Sequence, residues 1–280
     1  MWVYMMSFLE FELTLLWLVI ATIIVFGITI AIFYWRSRKT NNNYLENKNF
    51  HLRYFIQRQV DYHDKTVGYE CLLRQQQPDN SWTLPKQLDS LPLQRVVFLL
   101  EDIFKALPTE PYVLSINLEY NQIISRDFQY FVRWAISKIE PMKLSIEFSP
   151  GNIKKFHKKH LFEERIREAR NYNMQFSIDN VGSEMANLKA IEWMLPFVDN
   201  IKCSMRSFRK DDPSVWLDLN LQSWNRISKE HNINLVLMGI ENEEDEALAE
   251  QLNIPTRQGY LFGHPVNPIK TKQEEEHGNR

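Results

Sequence analysis

Residues Leu13 to Trp35 run for 23 positions without a charged side chain. A helix of that length rises about 34 Å at roughly 1.5 Å per residue, enough to cross the hydrocarbon core of a bilayer. A cleavable signal peptide is the competing reading, but its apolar stretch is only about 7–15 residues long and ends at small residues. This run ends in bulky Phe33, Tyr34 and Trp35, so an uncleaved membrane helix is expected. Glu10 and Glu12 precede it, whereas Arg36, Arg38 and Lys39 follow it. Basic flanks stay on the cytoplasmic side, so the bulk of the chain is expected inside, with residues 1–12 as a short extracytoplasmic N-terminus. Trp2, Tyr4, Trp17, Tyr34 and Trp35 suit the interfacial aromatic belts, or are simply bulky apolar residues in an apolar segment.

After the span, residues 36–49 are polar and rich in Asn and Lys and read as a linker. Residues 50–269 make one domain, long enough to bury a sizeable core, and residues 270–280, with Glu274, Glu275 and Glu276, make a polar tail. A formal net charge of −2 gives no electrostatic footprint for a nucleic-acid partner. Cys71 and Cys203 are expected as free thiols in a reducing compartment. The basic run Lys154, Lys155, His157, Lys158, Lys159 and His160 reads first as a solvated loop or helix start, with contact to anionic lipid headgroups as the alternative. His51, His63 and His264 lack metal-ligand spacing and read as surface residues.

Within the domain, short apolar runs alternate with amphipathic stretches. The runs are Val67 to Leu73, Tyr112 to Leu118, Lys143 to Phe148, Met174 to Asp179, Val198 to Cys203, Asn234 to Ile240 and Gly259 to Phe262. Between them lie helix candidates at Leu93 to Leu107, Ser125 to Ile139, Glu163 to Asn171, Glu184 to Leu195, Leu217 to His231 and Glu243 to Leu252. Such alternation indicates a parallel sheet with crossover helices. Seven or more strands in one domain favour a closed (β/α)8 TIM-like barrel over an open doubly wound sheet.

A tripeptide recurs at three of the strand ends: Ser115-Ile116-Asn117, Ser145-Ile146-Glu147 and Ser177-Ile178-Asp179. Strand side chains alternate, so each Ser shares a face with the amide or acid two positions on. Three neighbouring strands would then aim oxygen ligands at one place, a pattern suited to a hard cation at the top of a barrel. The plainer reading is a set of polar strand ends facing solvent or capping the next helix.

Tyr69-Glu70-Cys71-Leu72-Leu73-Arg74 resembles the signature of EAL domains, barrel proteins that bind and often hydrolyse the bacterial second messenger cyclic diguanylate. The resemblance runs in order through the domain. Ile56-Gln57-Arg58-Gln59-Val60-Asp61 is similar to the opening strand, Leu114 to Leu118 to the asparagine strand and Leu144 to Glu147 to the second glutamate strand. Ile178-Asp179-Asn180-Val181-Gly182 stands where the family has paired aspartates, Ile201-Lys202 at its lysine, and Gln258 to Pro265 at its closing motif. The resemblance implies that Glu70, Asn117, Glu147 and Asp179 ligate one Mg²⁺ or Mn²⁺ ion. It also implies that Lys202 stands beside the reactive water, that Arg74 meets a phosphate and that Gln57 and Gln258 lie near the nucleotide.

Four positions depart from the family pattern. Asn180 replaces the second aspartate, Ser204 an aspartate two positions after the lysine, and Met238 a glutamate before Gly239. Pro150 replaces a glutamate that steadies the loop after Asp179, and that loop, Gly182 to Asn187, is itself altered. Family hydrolysis resembles two-metal chemistry, so loss of three anionic ligands is expected to weaken the second metal. The expectation is a degenerate member anchored in a bacterial inner membrane by one helix. It would act as a cyclic diguanylate receptor or as a regulator docking a protein partner, without efficient hydrolysis. The alternative is a metal-dependent phosphodiesterase making the linear dinucleotide. The oligomeric state is left open.

Overall fold

A computed structural model describes residues 2–45, 51–85, 91–151, 156–209 and 217–269. Residues 46–49 of the expected linker, the polar tail at 270–280, and Lys154 and Lys155 of the basic run lie outside the described residues. The chain divides into two units, Met1–Phe50 and His51–Arg280.

The first unit is one helix, α1 (Trp2–Leu45). Its stretch Glu10–Trp35 has a mean hydropathy of 2.8 and none of it is buried, so it is long and apolar enough to cross a membrane. The helix continues to Leu45, through most of the segment expected as a linker. Nothing in the composition of that segment stops a helix, because it contains neither Pro nor Gly.

The second unit contains strands β1 (Leu52–Val60), β2 (Thr66–Gln76), β3 (Trp82–Thr83), β4 (Val113–Asn117), β5 (Lys143–Phe148), β6 (Gln175–Val181), β7 (Asn200–Ser204), β8 (Asn234–Met238) and β9 (Thr256–Gln258). Helices α2 (Leu93–Lys105), α3 (Tyr120–Ile123), α4 (Phe128–Ile139), α5 (Lys159–Arg170), α6 (Met185–Ile191), α7 (Leu221–Glu230) and α8 (Glu243–Gln251) fall between them. The sheet order is β1-β9-β8-β7-β6-β5-β4-β2, and β1 pairs β2 as well, which closes an eight-strand barrel; β3 only extends the edge of β2. The expected TIM-like barrel is therefore present.

It departs from an all-parallel barrel at one strand. β1 runs antiparallel to both neighbours, β2 and β9. The cause is local: Asp61 Oδ1 accepts hydrogen bonds from the His63 and Lys65 backbone N–H groups at 2.8 and 3.0 Å, and Asp64 adopts φ 56°. That tight turn makes β1 and β2 a hairpin, which leaves no room for a crossover helix. The last strand also differs from expectation. Ladder pairing occurs at Thr256–Gln258, whereas Gly259 to Phe262 turns away. A Cβ on Gly259 would lie 1.9 Å from the Ile240 carbonyl oxygen, so only glycine lets the two backbones cross there.

The helices cover the barrel with apolar faces. Phe148, Phe162, Phe176 and Phe197 are fully buried between strands and helices, with Tyr120 stacked on Phe162 at 5.0 Å. Lys159 of the basic run lies 4.9 Å above the Trp193 ring, so this lysine caps the aromatic cluster. His51, His63 and His264 are exposed, and Cys71 and Cys203 are free, buried thiols.

Candidate functional site

Alternation along the strands turns Glu70, Glu147, Asp179, Lys202, Gln258 and Gln57 into the barrel interior, toward its carboxyl-terminal mouth. Lys202 Nζ donates to Glu70 Oε2 at 2.8 Å and to Glu147 Oε2 at 2.6 Å, and all three residues are buried. Asn117 Nδ2 donates to Glu70 Oε1 at 2.8 Å. Gln258 Nε2 donates to Glu70 Oε2 at 2.8 Å and to Gln57 Oε1 at 3.3 Å. Asp179 stands apart from this web: its Oδ1 is shut off from solvent with no hydrogen-bond partner.

Six of the residues singled out in sequence, Glu70, Asn117, Glu147, Lys202, Gln57 and Gln258, thus share one network. Gln59 was missed as part of it. Its Nε2 donates to Gln258 Oε1 at 3.1 Å, which fixes the Gln258 amide with its donor toward Glu70. The signal was present in the two-residue step from Gln57 to Gln59, since both must face inward if either does.

The carboxylates divide according to their partners. Burial pushes Glu70 up, but the Lys202 charge and hydrogen bonds from Lys202, Gln258 and Asn117 outweigh it and hold the group below its usual range. Glu147 is pushed up to about 8, first by burial and then by the negative charge of Glu70. Asp179 rises to about 6, again chiefly through burial, which outweighs the lowering by the Lys202 charge, with Glu70 adding a smaller repulsion. Lys202 is held charged, because the carboxylates outweigh the burial that would neutralise it.

A pH dependence follows from these directions. A carboxyl raised in the folded state contributes stability that is present below its unfolded value and lost as pH rises through its folded value. The windows for Glu147 and Asp179 lie between about pH 4 and 8. That of Glu70 lies below its ordinary value of 4.5, and that of Lys202 lies above 10.5. Thermal unfolding in EDTA is therefore expected at a melting temperature several degrees lower at pH 8 than at pH 5. A flat or rising profile over that range would contradict the assignment of the raised groups.

Three carboxylates face one ammonium, so the site is short of positive charge. Among the described residues, no three His, Cys, Asp or Glu side chains already surround one point as an ion would need. The donor chemistry nevertheless fits a hard cation: all four oxygens expected as ligands come from Glu70, Asn117, Glu147 and Asp179, and the partnerless Asp179 Oδ1 lacks only a positive neighbour. Asn117 would have to turn its amide over to present oxygen, since its nitrogen now faces Glu70.

The departing positions cluster on the same mouth. Ser204 and Met238 are paired in register at the ends of β7 and β8, and both are half-buried. Asn180 is exposed at the end of β6 in a left-handed conformation, φ 55°, where the ladder with β7 shifts register. Glu241, the acid nearest in sequence to Met238, pairs with Arg209 at 3.3 Å. The loop after β6 is pinned from outside the mouth, by Trp224 Nε1 donating to the Gly182 carbonyl at 3.0 Å. Arg74 lies in an adjoining cleft of about 750 Å³, together with Asn117, Tyr120 and Pro150.

A family model, the EAL domain, matches residues 38–265. Several solved structures share the fold. One is the EAL enzyme Bd1971 in a form with cAMP and cyclic-di-GMP bound, at 19% identity and TM-score 0.65, covering 85% of this chain and 68% of that one. Another is the Bacillus subtilis YkuI protein, which has an EAL domain, in complex with substrate cyclic-di-GMP and calcium. It shows 16% identity and TM-score 0.62, covering 86% of this chain and 60% of that one. A standalone versatile EAL protein from Vibrio cholerae, in its cyclic-di-GMP-bound form, shows 19% identity and TM-score 0.58, covering 79% and 94%. No curated protein matches in sequence.

Proposed function

The chain belongs to the EAL domain family, and on that premise we propose that it is a membrane-anchored, degenerate member that binds cyclic diguanylate or docks a protein partner without efficient hydrolysis. Helix α1 would anchor it in the inner membrane with the barrel in the cytoplasm, an orientation supported by the basic flank Arg36, Arg38 and Lys39. One observation carries the loss of hydrolysis. Asn180, Ser204 and Met238 fall on three successive strands, with Ser204 and Met238 in direct register, so the missing charges come from one small volume.

In this reading Glu70, Asn117, Glu147 and Asp179 would hold one Mg²⁺ or Mn²⁺ ion, which when bound supplies charge neutralisation to a phosphate oxygen and lowers the pKa of water. The chain's own groups do the rest. Lys202 keeps its proton and orients Glu70 and Glu147 through its two hydrogen bonds. Gln258, set by Gln59 and Gln57, donates to the same Glu70 oxygen that Lys202 meets, and Asn117 holds the other oxygen. Arg74, half-buried at the mouth, offers a guanidinium to a phosphate. Gln57 and Gln258 would meet the nucleotide only at their rims, since each already has amide partners. Where the family places three anionic groups for a second cation, this mouth presents an amide, a hydroxyl and a thioether, which leave an attacking water close to its unactivated state.

The intact set of four ligands and Lys202 favours the second reading, a slow phosphodiesterase that opens cyclic diguanylate to the linear dinucleotide. The purified full chain in detergent, given cyclic diguanylate with Mg²⁺ or Mn²⁺, distinguishes the two. Binding by calorimetry with no linear product by chromatography is expected, and Arg74→Ala should weaken that binding by about tenfold or more, roughly the worth of one charge-assisted contact. Multiple turnovers abolished by Glu70→Ala would overturn the receptor reading, and absence of binding would leave protein docking as the remaining role.

A further inference from the structure

A slip of one residue turns every side chain of a strand to the opposite face, so a side chain aimed from a strand end depends on whatever fixes the register there. β6 meets this problem at Asp179. Its ladder with β7 pairs Ser177 with Asn200 and Ile178 with Ile201, and resumes only at Val181 with Cys203. Two residues of β6, Asp179 and Asn180, therefore stand against Lys202 alone, a β-bulge of the kind that re-aims a side chain beside a functional site. Asn180 takes up the extra length in the left-handed conformation. The Asp179 side chain does little to hold the arrangement, because its Oδ1 is buried without a partner and gains from any backbone shift that lets water reach it. Its place must be set by the backbone that follows the bulge.

That backbone is tied down three times, each time to residues 218–224, where α7 begins. Trp224 Nε1 donates to the Gly182 carbonyl at 3.0 Å, the Leu219 N–H donates to the Ser183 carbonyl at 2.8 Å, and the Met185 N–H donates to Asp218 Oδ2 at 3.2 Å. The far side of these bonds is firm. Trp224 and Leu219 are buried, and the Asn220 side chain caps α7 by accepting from the Ser223 N–H at 2.8 Å. The near side is not. Gly182 has no side chain, and Glu184, Met185 and Ala186 are exposed, so packing within the loop supplies little and α7 supplies the fixed point.

We propose that the start of α7 is a clamp on the cation site: Trp224, Leu219 and Asp218 hold the loop from Gly182 to Met185, the loop holds the bulge, and the bulge holds Asp179 toward the ion. The inference rests on the reading of Asp179, with Glu70, Asn117 and Glu147, as ligands of one cation. Trp224 and Asp218 act through the loop and are positioning residues. Ion affinity then depends on a helix that covers the barrel, and a shift of α7 loosens the ion without touching the mouth.

The test is equilibrium binding of Mn²⁺ to the full chain in detergent, read from the paramagnetic resonance signal of the free ion. Trp224→Phe keeps a ring in the core but removes the N–H, and it should weaken Mn²⁺ binding about tenfold, the lower end of what a lost supporting contact costs a metal site. Asp218→Ala, at an exposed position, should weaken it about threefold, whereas Asp218→Asn keeps an oxygen for the Met185 N–H and should bind within about twofold of the parent. That pair separates positioning from charge, because loss of a distant negative charge weakens both alike. With Asp179→Ala in place the clamp has nothing to aim, so adding Trp224→Phe or Asp218→Ala should change the residual binding by less than about twofold. Folded clamp variants that bind as tightly as the parent, Asp218 variants that bind alike, or losses that persist undiminished in Asp179→Ala would overturn the clamp. If Trp224→Phe does not fold, the Asp218 pair decides. A parent that binds no Mn²⁺ overturns the site reading and the clamp with it; a parent that binds leaves the clamp to be judged on the variants alone.

Discussion

Lys202→Met is expected to lower the melting temperature of the chain in EDTA by about 6–20 °C at pH 8. That range follows from about 3–5 kcal/mol for breaking a buried ion pair, at roughly 2–4 °C per kcal/mol in a domain of this size. The substitution keeps most of the side-chain volume but removes the one ammonium that faces Glu70, Glu147 and Asp179, and it leaves two hydrogen bonds of 2.8 and 2.6 Å without their donor. Glu147, already raised by burial and by Glu70, should then keep its proton to still higher pH. Two further results belong to the same expectation. The loss should shrink toward pH 5, where Glu147 and Asp179 are protonated in either variant and Glu70 alone keeps its charge in the parent, and Mn²⁺ should restore part of it, since a cation would stand in for the lost charge. Adding Glu70→Gln should also recover stability, giving a non-additive double-mutant cycle, because the second change removes the charge that the first left unpaired. A variant that melts within a degree or two of the parent at pH 8 would mean that Lys202 does not balance the cluster.

The barrel was legible because its strands and helices carry opposite periodicities, and run lengths such as Lys143 to Phe148 coincide with the observed β5. Two elements were not legible from periodicity, although the resemblance had placed an opening strand at Ile56 to Asp61. β1 reads as Arg and Gln mixed with apolar residues, because a barrel strand whose inward face serves a polar site lacks the apolar alternation that marks a strand. β9 is only three residues long and includes fully buried Arg257, whose charge is met by Glu246 and Glu250 at 3.5 Å; a charged core position is opposite to what a sequence pattern suggests. The convergence of Asn117, Glu147 and Asp179 was readable from the repeated Ser-Ile-X spacing, since alternation fixes direction. The same repeat had a second consequence that the ligand-centred reading passed over. If the third residue of each tripeptide faces the mouth, the serine two positions earlier faces the lower barrel interior, where all three serines are buried and the Ser145 and Ser177 hydroxyls bond each other at 2.8 Å.

The triple substitution Asn180→Asp, Ser204→Asp and Met238→Glu is expected to raise metal-dependent hydrolysis of cyclic diguanylate by about 100-fold, equivalent to roughly 2.7 kcal/mol of barrier. The backbone should tolerate all three. Asn180 sits at φ 55°, a conformation that aspartate shares with asparagine more readily than other residues do, and Ser204 and Met238 are half-buried at strand ends with the mouth in front of them. The cost should appear in the absence of metal. Ser204 and Met238 are in register on adjacent strands, so the new carboxylates would stand side by side near Asp179 and the melting temperature in EDTA should fall. The same repulsion is what a second cation relieves, so Mn²⁺ should raise the melting temperature of the triple variant by more than it raises that of the parent. This pairing of readouts separates two kinds of failure. A variant that gains metal-dependent stability but no turnover would place the missing chemistry elsewhere, in the loop from Gly182 to Asn187 or at Pro150, which lies buried beside the Arg74 cleft. A variant that gains neither would show that Asn180, Ser204 and Met238 do not mark a lost cation site, and the account of this chain as a disabled two-metal enzyme would fail.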